Sequence, residues 1–355
     1  MRPLWQSVRR AGPPGGTRPT YEAYVRVSIL LPAYDAAATL PACLASISRQ
    51  TLTSWECIIV DDGSTDGTAA IACDAGRRDP RFHLVSLPHG GLIAALNEGL
   101  RHCRAPLVAR MDADDVMHRD RLEAQATVLD ADASLSAVGC HVRLFPRKTM
   151  TPRRREYEDW LNALGSADDV ARDAFVECPV AHPSLMMRRN VAALGYIERG
   201  WPEDYDLVLR ALAAGLRIGM VSRRLLSWRD GPDRLSRTDG RYSLERFTAC
   251  KAHYLARGFL SRVSSYILWG YGSTGRSLRR ALAADGKAPS HVVEIKSSRL
   301  GQRIHGAPVV PPDAVPQLRG IPLIVSVARI DPRNQIRAAL AGMGFVEGRD
   351  YVCAA

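Results

Sequence analysis

The sequence lacks any apolar run approaching the roughly 20 residues that a membrane-spanning helix needs, so no candidate span can be drawn on it. CxxC pairs are also missing. Eight cysteines (Cys43, Cys57, Cys73, Cys103, Cys140, Cys178, Cys250 and Cys353) are scattered along the chain. Several fall at apolar positions of predicted helices or strands, which argues for buried thiols in a reducing compartment rather than disulfides or a zinc site. Aromatic residues make up only 6%. The segment from Met1 to Tyr24 has no apolar core of the kind a signal peptide carries and is rich in Arg, Pro and Gly, so residues 1–24 are expected to form a flexible extension.

What is present is an ordinary globular composition, 46% hydrophobic and 24% charged over 355 residues. That length suffices for two domains of roughly 150 residues each. The formal charge of +11 comes mostly from arginine. Such a balance suits phosphate-bearing substrates or an anionic membrane surface. Nucleic acid would also fit the charge, but no recognised nucleic-acid module is visible.

From Val25 the pattern alternates strand and helix. Val27 to Leu31 reads as a buried strand, and Leu40, Cys43, Leu44 and Ile47 as the apolar stripe of a helix. Cys57 to Val60 and Phe82 to Val85 are further strands, and Leu92 to Cys103 is a helix preceding a strand over Pro106 to Ala109. This alternation predicts a mostly parallel sheet flanked by helices. Thr151 to Arg172 reads as a charged, helical, solvated insertion, and Ser236 to Arg257 as a connecting helix. Domain boundaries are expected at 25–240, 241–265 for the connection, and 266–355 for a second, smaller α/β unit.

The most informative stretch is Met111-Asp112-Ala113-Asp114-Asp115, three carboxylates that end an apolar strand. In open α/β sheets the carboxyl edge of the strands is where ligands bind. Asp112 and Asp114 are two apart, so a turn can aim both at one hard cation carrying a diphosphate. An acidic turn that merely caps the next helix would look similar. A second acidic strand end, Asp61-Asp62, is expected at the same edge, and repelling carboxylates there cost stability unless a cation or ligand offsets them. That favours function.

Four segments in order, V-S-I-L-L-P-A-Y-D at Val27 to Asp35, V-D-D-G-S-T-D-G-T at Val60 to Thr68, A-R-M-D-A-D-D at Ala109 to Asp115 and W-P-E-D-Y-D-L-V-L-R at Trp201 to Arg210, resemble the family 2 glycosyltransferases with the GT-A fold. The resemblance spans roughly Val25 to Tyr242. It implies an inverting transferase in which Pro32, Ala33 and Asp35 line the nucleotide pocket and Asp62 contacts the uracil or ribose. Arg110 and Asp112 would lie on the donor side, and Asp114 would coordinate Mg²⁺ or Mn²⁺ bridging the diphosphate. Asp204 would be the general base with Glu203 as its neighbour. Two acids in the first turn of a helix are also favoured by the macrodipole alone. His182 would belong to an acceptor-side segment, though a histidine beside proline is often structural. Trp228-Arg229-Asp230 resembles a late segment where a histidine often helps hold the metal, with Asp230 in its place. Arg229, Arg234 and Arg237 could neutralise phosphate, though exposed arginines often serve only solvation.

The C-terminal Gly270-Tyr271-Gly272-Ser273-Thr274-Gly275 follows a predicted strand (Tyr266 to Trp269) and opens a helix. Gly270, Gly272 and Gly275 fit G-x-G-x-x-G, and Glu294 lies where a ribose-binding acid is expected. A tight turn in a Rossmann-like unit that binds nothing remains the alternative. The whole chain therefore reads as a GT-A domain plus a smaller Rossmann-like domain. Its expected work is transfer from a nucleotide-sugar donor, a UDP-sugar first, to a glycan or lipid-linked acceptor for cell-surface polysaccharide. The expected location is cytoplasmic, with peripheral attachment at the inner face of the membrane as an option. An NAD(P)-dependent oxidoreductase using the C-terminal unit, and a non-catalytic nucleotide- or carbohydrate-binding scaffold, are the other readings.

Overall fold

A computed structural model describes residues 25–231 and 234–355; the expected N-terminal extension, 1–24, lies outside them. The first half alternates as the sequence predicts: β1 (Val27–Ala33), α1 (Leu40–Ser48), β2 (Trp55–Asp61), α2 (Thr68–Arg78), β3 (Phe82–Ser86), α3 (Leu92–His102) and β4 (Leu107–Arg110). Every residue of β1, β2 and β4 is buried. Helices cover both sheet faces, so these strands read as continuous apolar runs without alternation. Helix α3 lies very close to the sheet at Gly99, where a β-carbon would come within 2.2 Å of Leu30 Cδ1 and 2.9 Å of Val60 Cγ2.

The chain continues through β5 (Val116–Met117), α4 (Arg121–Ala131), β6 (Leu135–Phe145), α5 (Pro152–Ala163), α6 (Ala167–Asp173), β7 (Met186–Arg188), α7 (Arg189–Ala192), α8 (Glu203–Ala213), β8 (Arg217–Arg229), α9 (Leu235–Thr238) and α10 (Leu244–Arg257). The eight strands form one sheet in the order β3-β2-β1-β4-β7-β6-β8-β5. Strands β1 to β4 pair in parallel, whereas β7 is antiparallel to both β4 and β6. The sheet is thus mixed, and its long β6 and β8 pair in parallel with three register shifts. The stretch expected to be a solvated insertion is two helices, with Glu158, Trp160 and Leu161 of α5 buried. The expected helix from Ser236 is broken before Leu244 by α9 and by a single turn at Gly240–Tyr242.

A second sheet holds β9 (Ser265–Trp269), β10 (Ala288–Val293), β11 (Arg303–Ile304), β12 (Ala307–Val310), β13 (Leu323–Val325) and β14 (Tyr351–Cys353), in the order β11-β12-β10-β9-β13-β14. Helix α11 (Ser273–Ala284) follows β9 and α12 (Ile330–Gly342) follows β13. Apart from the antiparallel β11, the strands are all parallel. Counted by appearance the parallel strands run 3-2-1-4-5, the order of a doubly wound sheet.

The two units are packed together. Ala252, Leu255 and Ala256 of α10 share a core with Leu268, Leu278 and Leu282, and Phe175 packs against it from the first unit. Lys251 Nζ donates to the carbonyls of Val176 (3.0 Å) and Ala354 (2.8 Å). Arg337 of α12 is ion-paired with Asp173 of α6 and with Glu347. All eight cysteines carry free thiols, seven of them buried and Cys73 partly so, as the sequence leads one to expect.

Candidate active site

Strands β1, β2 and β4 deliver their carboxyl ends to one edge. Ala33 lies opposite Asp61 and Leu30 opposite Arg110, so Asp62 and the Asp112–Asp115 turn emerge side by side. Asp62 donates its amide hydrogen to the Ala33 carbonyl (2.9 Å) and is 3% exposed. Its carboxylate accepts from the Gly90 amide (2.8 Å) and the Gly91 amide (2.9 Å), with His89 Nδ1 2.9 Å away. The acid expected to meet the nucleoside therefore also fixes the turn entering α3, where the helix dipole favours negative charge. Gly63 makes this close approach possible, since at φ +73° a β-carbon would sit 2.6 Å from the His89 amide nitrogen.

Asp35 adopts φ +44° and accepts from the Thr65 amide (2.8 Å), while its own amide donates to Ser64 Oγ (3.0 Å). Asp66 accepts from the amides of Ala37 (3.0 Å) and Thr68 (2.8 Å). The two strand-end loops are thus laced into one rigid rim. Pro32 and Ala33 are buried within β1 and sit under the rim. The accessible side chain there is Tyr34, 49% exposed, stacked on His89 at 4.3 Å between ring centroids. The sequence reading passed over both. An aromatic just beyond an apolar strand was the available signal.

In the acidic turn, Asp112, Asp114 and Asp115 each offer a carboxylate oxygen within 4.8 Å of the others. Asp115 is fully buried; its Oδ1 accepts from the Arg229 amide (2.7 Å) and its Oδ2 has no hydrogen-bond partner. A buried carboxylate oxygen left orphaned is costly, and an oxygen-rich trio with one open ligand suits a hard divalent cation. Burial, then the neighbouring Asp112, pushes Asp114 up to about 6, against the pull of Arg234 and Arg110. Burial likewise raises Asp115, with Asp112 and Asp114 adding to it. Arg229 holds the turn from outside, its Nε donating to the Asp114 carbonyl (2.8 Å).

Helix α8 brings two further acids within reach of the Arg110 charge. Pro202 precedes it and Glu203 and Asp204 occupy its first turn, so the local sequence alone would place two acids at a helix start. The surroundings separate them. Glu203, 1% exposed, accepts from the Tyr242 hydroxyl (2.7 Å). Asp204 accepts only from the next amide, Tyr205 (2.7 Å), and burial followed by Glu203 pushes it up to about 7. His182 is buried, with Nε2 2.8 Å from the Tyr196 hydroxyl and Nδ1 4.0 Å from Glu203 Oε1. Burial and then Arg110 hold the imidazole well below its ordinary value, hence neutral.

Arg110 joins the two acidic groups. It is 1% exposed and ion-paired with Asp112, and its charge also pulls down both Glu203 and Asp204. The metal-side acids and the α8 acids therefore share one neighbour. Asp230 does not join them. Its carboxylate is engaged by Arg154 (3.0 Å) and Arg237 (2.9 Å), with Arg234 at 3.8 Å, so in this structure it anchors arginines. Arg229 faces the acid turn and the Phe145 ring. Tyr242 and Tyr196 are site neighbours that the sequence reading missed, since Tyr242 lies 39 residues from the Glu203 it bonds and Tyr196 meets the site through His182; Arg234, expected as a phosphate-neutralising arginine, also pulls on Asp114.

The C-terminal glycines lie on the other sheet, at the turn from β9 into α11. Gly270 has φ +95° and a β-carbon there would lie 3.0 Å from the Ser326 carbonyl oxygen. A β-carbon at Gly275 would lie 2.1 Å from the Gly270 carbonyl oxygen. Glu294 is paired with Arg299 (3.0 Å).

Residues 28–194 match the sequence profile of the family described as Glycosyl transferase family 2. EpsE of Bacillus subtilis, described as a glycosyltransferase, is 29% identical over 237 residues, covering 64% of this chain and 82% of its own. The amylovoran biosynthesis glycosyltransferase AmsE of Erwinia amylovora is 28% identical over 206 residues, 57% of this chain and 74% of its own. In three dimensions the chain is similar to S. aureus TarS 1-349, solved in complex with UDP-GlcNAc, with TM-score 0.52 and 15% identity over 73% of this chain and 71% of that one. That likeness shows the GT-A fold.

Proposed function

We propose that this chain, which carries a family 2 glycosyltransferase domain over residues 28–194, is an inverting, cation-dependent glycosyltransferase. It takes a nucleotide sugar, a UDP-sugar by preference, and hands the sugar to a glycan or lipid-linked acceptor in cell-surface polysaccharide synthesis. What supports this reading is Arg110, buried and ion-paired with Asp112, whose charge also pulls Glu203 and Asp204 down. The match to sugar-polymer transferases weighs against the oxidoreductase and scaffold alternatives as the main activity.

Asp112, Asp114 and Asp115 would hold Mg²⁺ or Mn²⁺, and the open Asp115 Oδ2 fits that use. A bound cation supplies Lewis-acid neutralisation of the departing diphosphate. Arg110 and Arg234 add positive charge beside the same acids. Tyr34 on His89 offers a flat aromatic face to the nucleobase at the rim, above Asp62. Asp204 accepts the acceptor hydroxyl's proton as that oxygen bonds to the anomeric carbon from the side opposite the diphosphate. The carbon–oxygen bond to the diphosphate breaks in the same step and its electrons leave with the phosphate, so configuration inverts. A base near pH 7 is matched to this work. Glu203, fixed by Tyr242, keeps Asp204 from being a stronger acid. His182 and Tyr196 stay neutral and support Glu203.

Location is part of the same proposal. A groove of about 700 Å³ is lined by Arg49, Arg119, Arg143, Arg147 and Arg224 against Glu158 and Asp159, and its surplus of positive charge would draw the enzyme to the anionic inner membrane surface, where a lipid-linked acceptor resides. The test of function is release of nucleoside diphosphate from a panel of UDP-, GDP- and ADP-sugars with Mn²⁺ or Mg²⁺. Turnover that needs the cation and falls by roughly 10²–10⁴ in Asp204→Asn supports the reading. No turnover with any donor, or full activity in Asp204→Asn, overturns it.

A further inference from the structure

The glycine loop of the C-terminal sheet contains one glycine that the protein itself does not require. Gly270 is fixed by its positive φ and by the Ser326 carbonyl, and Gly275 by the carbonyl of Gly270 beneath the first turn of α11. Gly272, between them, has φ −74° and ψ −162°, a conformation open to any residue. A β-carbon there would meet nothing within 4 Å. Neither backbone geometry nor packing explains its bare α-carbon. Glycine is a favoured helix cap, and at this cap its missing side chain also leaves room for something that is not protein.

The surroundings say what that is. Gly272 caps the N-terminus of the 12-residue helix α11, whose free amides and dipole favour an anion. The loop sits where the strand order reverses, between β9 and β13, which is the crevice position in a doubly wound sheet. Across the loop lies Ser326, 2% exposed, at the end of β13, and its hydroxyl has no hydrogen-bond partner. Its β-carbon is 3.8 Å from where a β-carbon on Gly275 would be, and its carbonyl accepts from Thr274 Oγ1 (3.5 Å). Glu294, just past the end of the neighbouring β10, is held by Arg299, which also donates to the Tyr271 carbonyl (3.3 Å). A carboxylate beside a diphosphate cradle is placed to accept from ribose hydroxyls, and Arg299 adds a cation at the mouth.

We infer that this crevice is a second nucleotide site, taking a nucleoside diphosphate with its phosphates over Gly272 at the start of α11, Ser326 as a further donor and the ribose on Glu294. No acidic cluster adjoins it among the described residues, so its binding needs no divalent cation. It stands apart from the proposed transferase cleft and does not depend on that reading.

The full-length chain in chelator is titrated with UDP, ADP and GDP by calorimetry, alongside Gly272→Val and Glu294→Gln. Gly272→Val puts its side chain into open space, and the loss of a favoured helix cap should lower its unfolding temperature only slightly, so it stays folded for the titration. The expected result is one metal-independent equivalent of one of the three nucleotides, weakened by about tenfold or more in Gly272→Val. Glu294→Gln should weaken the same nucleotide and leave inorganic pyrophosphate binding unchanged. Absence of metal-independent binding for all three, or equal binding by Gly272→Val, overturns the site. Binding that survives in Gly272→Val belongs to the cleft of the first unit.

Discussion

A carboxyl poised at about 7 is half protonated at neutrality, and only its ionised form can take a proton from an acceptor. For Asp204 this predicts that kcat/KM rises with pH through about 7 and levels off above it. Glu203 pushes that value upward, so Glu203→Gln should move the acid limb to lower pH; an unmoved limb would show that another group carries it. Asp114, raised to about 6 by burial, behaves differently. Its folded value lies above its unfolded one, so keeping it charged costs stability that grows as pH rises from about 4 to 6. A cation offsets that cost only above this window. Thermal stabilisation by Mn²⁺ should therefore be large at pH 7.5, fade as pH falls through about 6, and be mostly lost in Asp114→Asn at every pH.

The elements that carry these acids were legible because β1, β2 and β4 are buried on both faces and end abruptly in charge. The apolar run and the acidic stop are both written in consecutive residues. Strands β6 and β8 were not legible, since their pairing shifts register three times and bring together residues some eighty apart. The arginine pairing of Asp230 was not legible for a similar reason: its partner Arg154 is 76 residues away, and nothing local announces it. Two glycines at this scale give different expectations. Gly99→Ala drives a methyl into Leu30 and Val60, an overpacking that should lower stability by about 1–3 kcal/mol in denaturant titration. Gly63→Ala strains a positive φ and pushes on the His89 backbone, so it should both lower stability and raise KM for the donor, because the Asp62–Gly90–Gly91 turn forms the nucleotide rim.

At the scale of the molecule, the two-unit plan and the doubly wound order of the second sheet follow from alternating patterns in the sequence, but the seam between the units does not. Arg337 reaches from α12 to Asp173, a carboxylate that is 3% exposed and also accepts from Trp160 Nε1 (3.1 Å). Arg337→Ala leaves Asp173 with Arg172 (3.2 Å) as its remaining cation and takes the partner from Glu347, and should cost about 1–3 kcal/mol, seen as a lower unfolding midpoint by circular dichroism. Asp173→Asn combined with Arg337→Met should recover only part of the loss, since Glu347 still lacks its arginine.

Helix α10 gives the seam a mechanical meaning. At its start, Tyr242 grips Glu203 one residue before the Ser243 cap; about 21 Å further on, its last turns lie in the core of the other sheet. A helix is stiff along its axis, so it acts as a strut. The two crevices are held at a set spacing, and neither unit can swing on the other without tugging the carboxylate that neighbours Asp204.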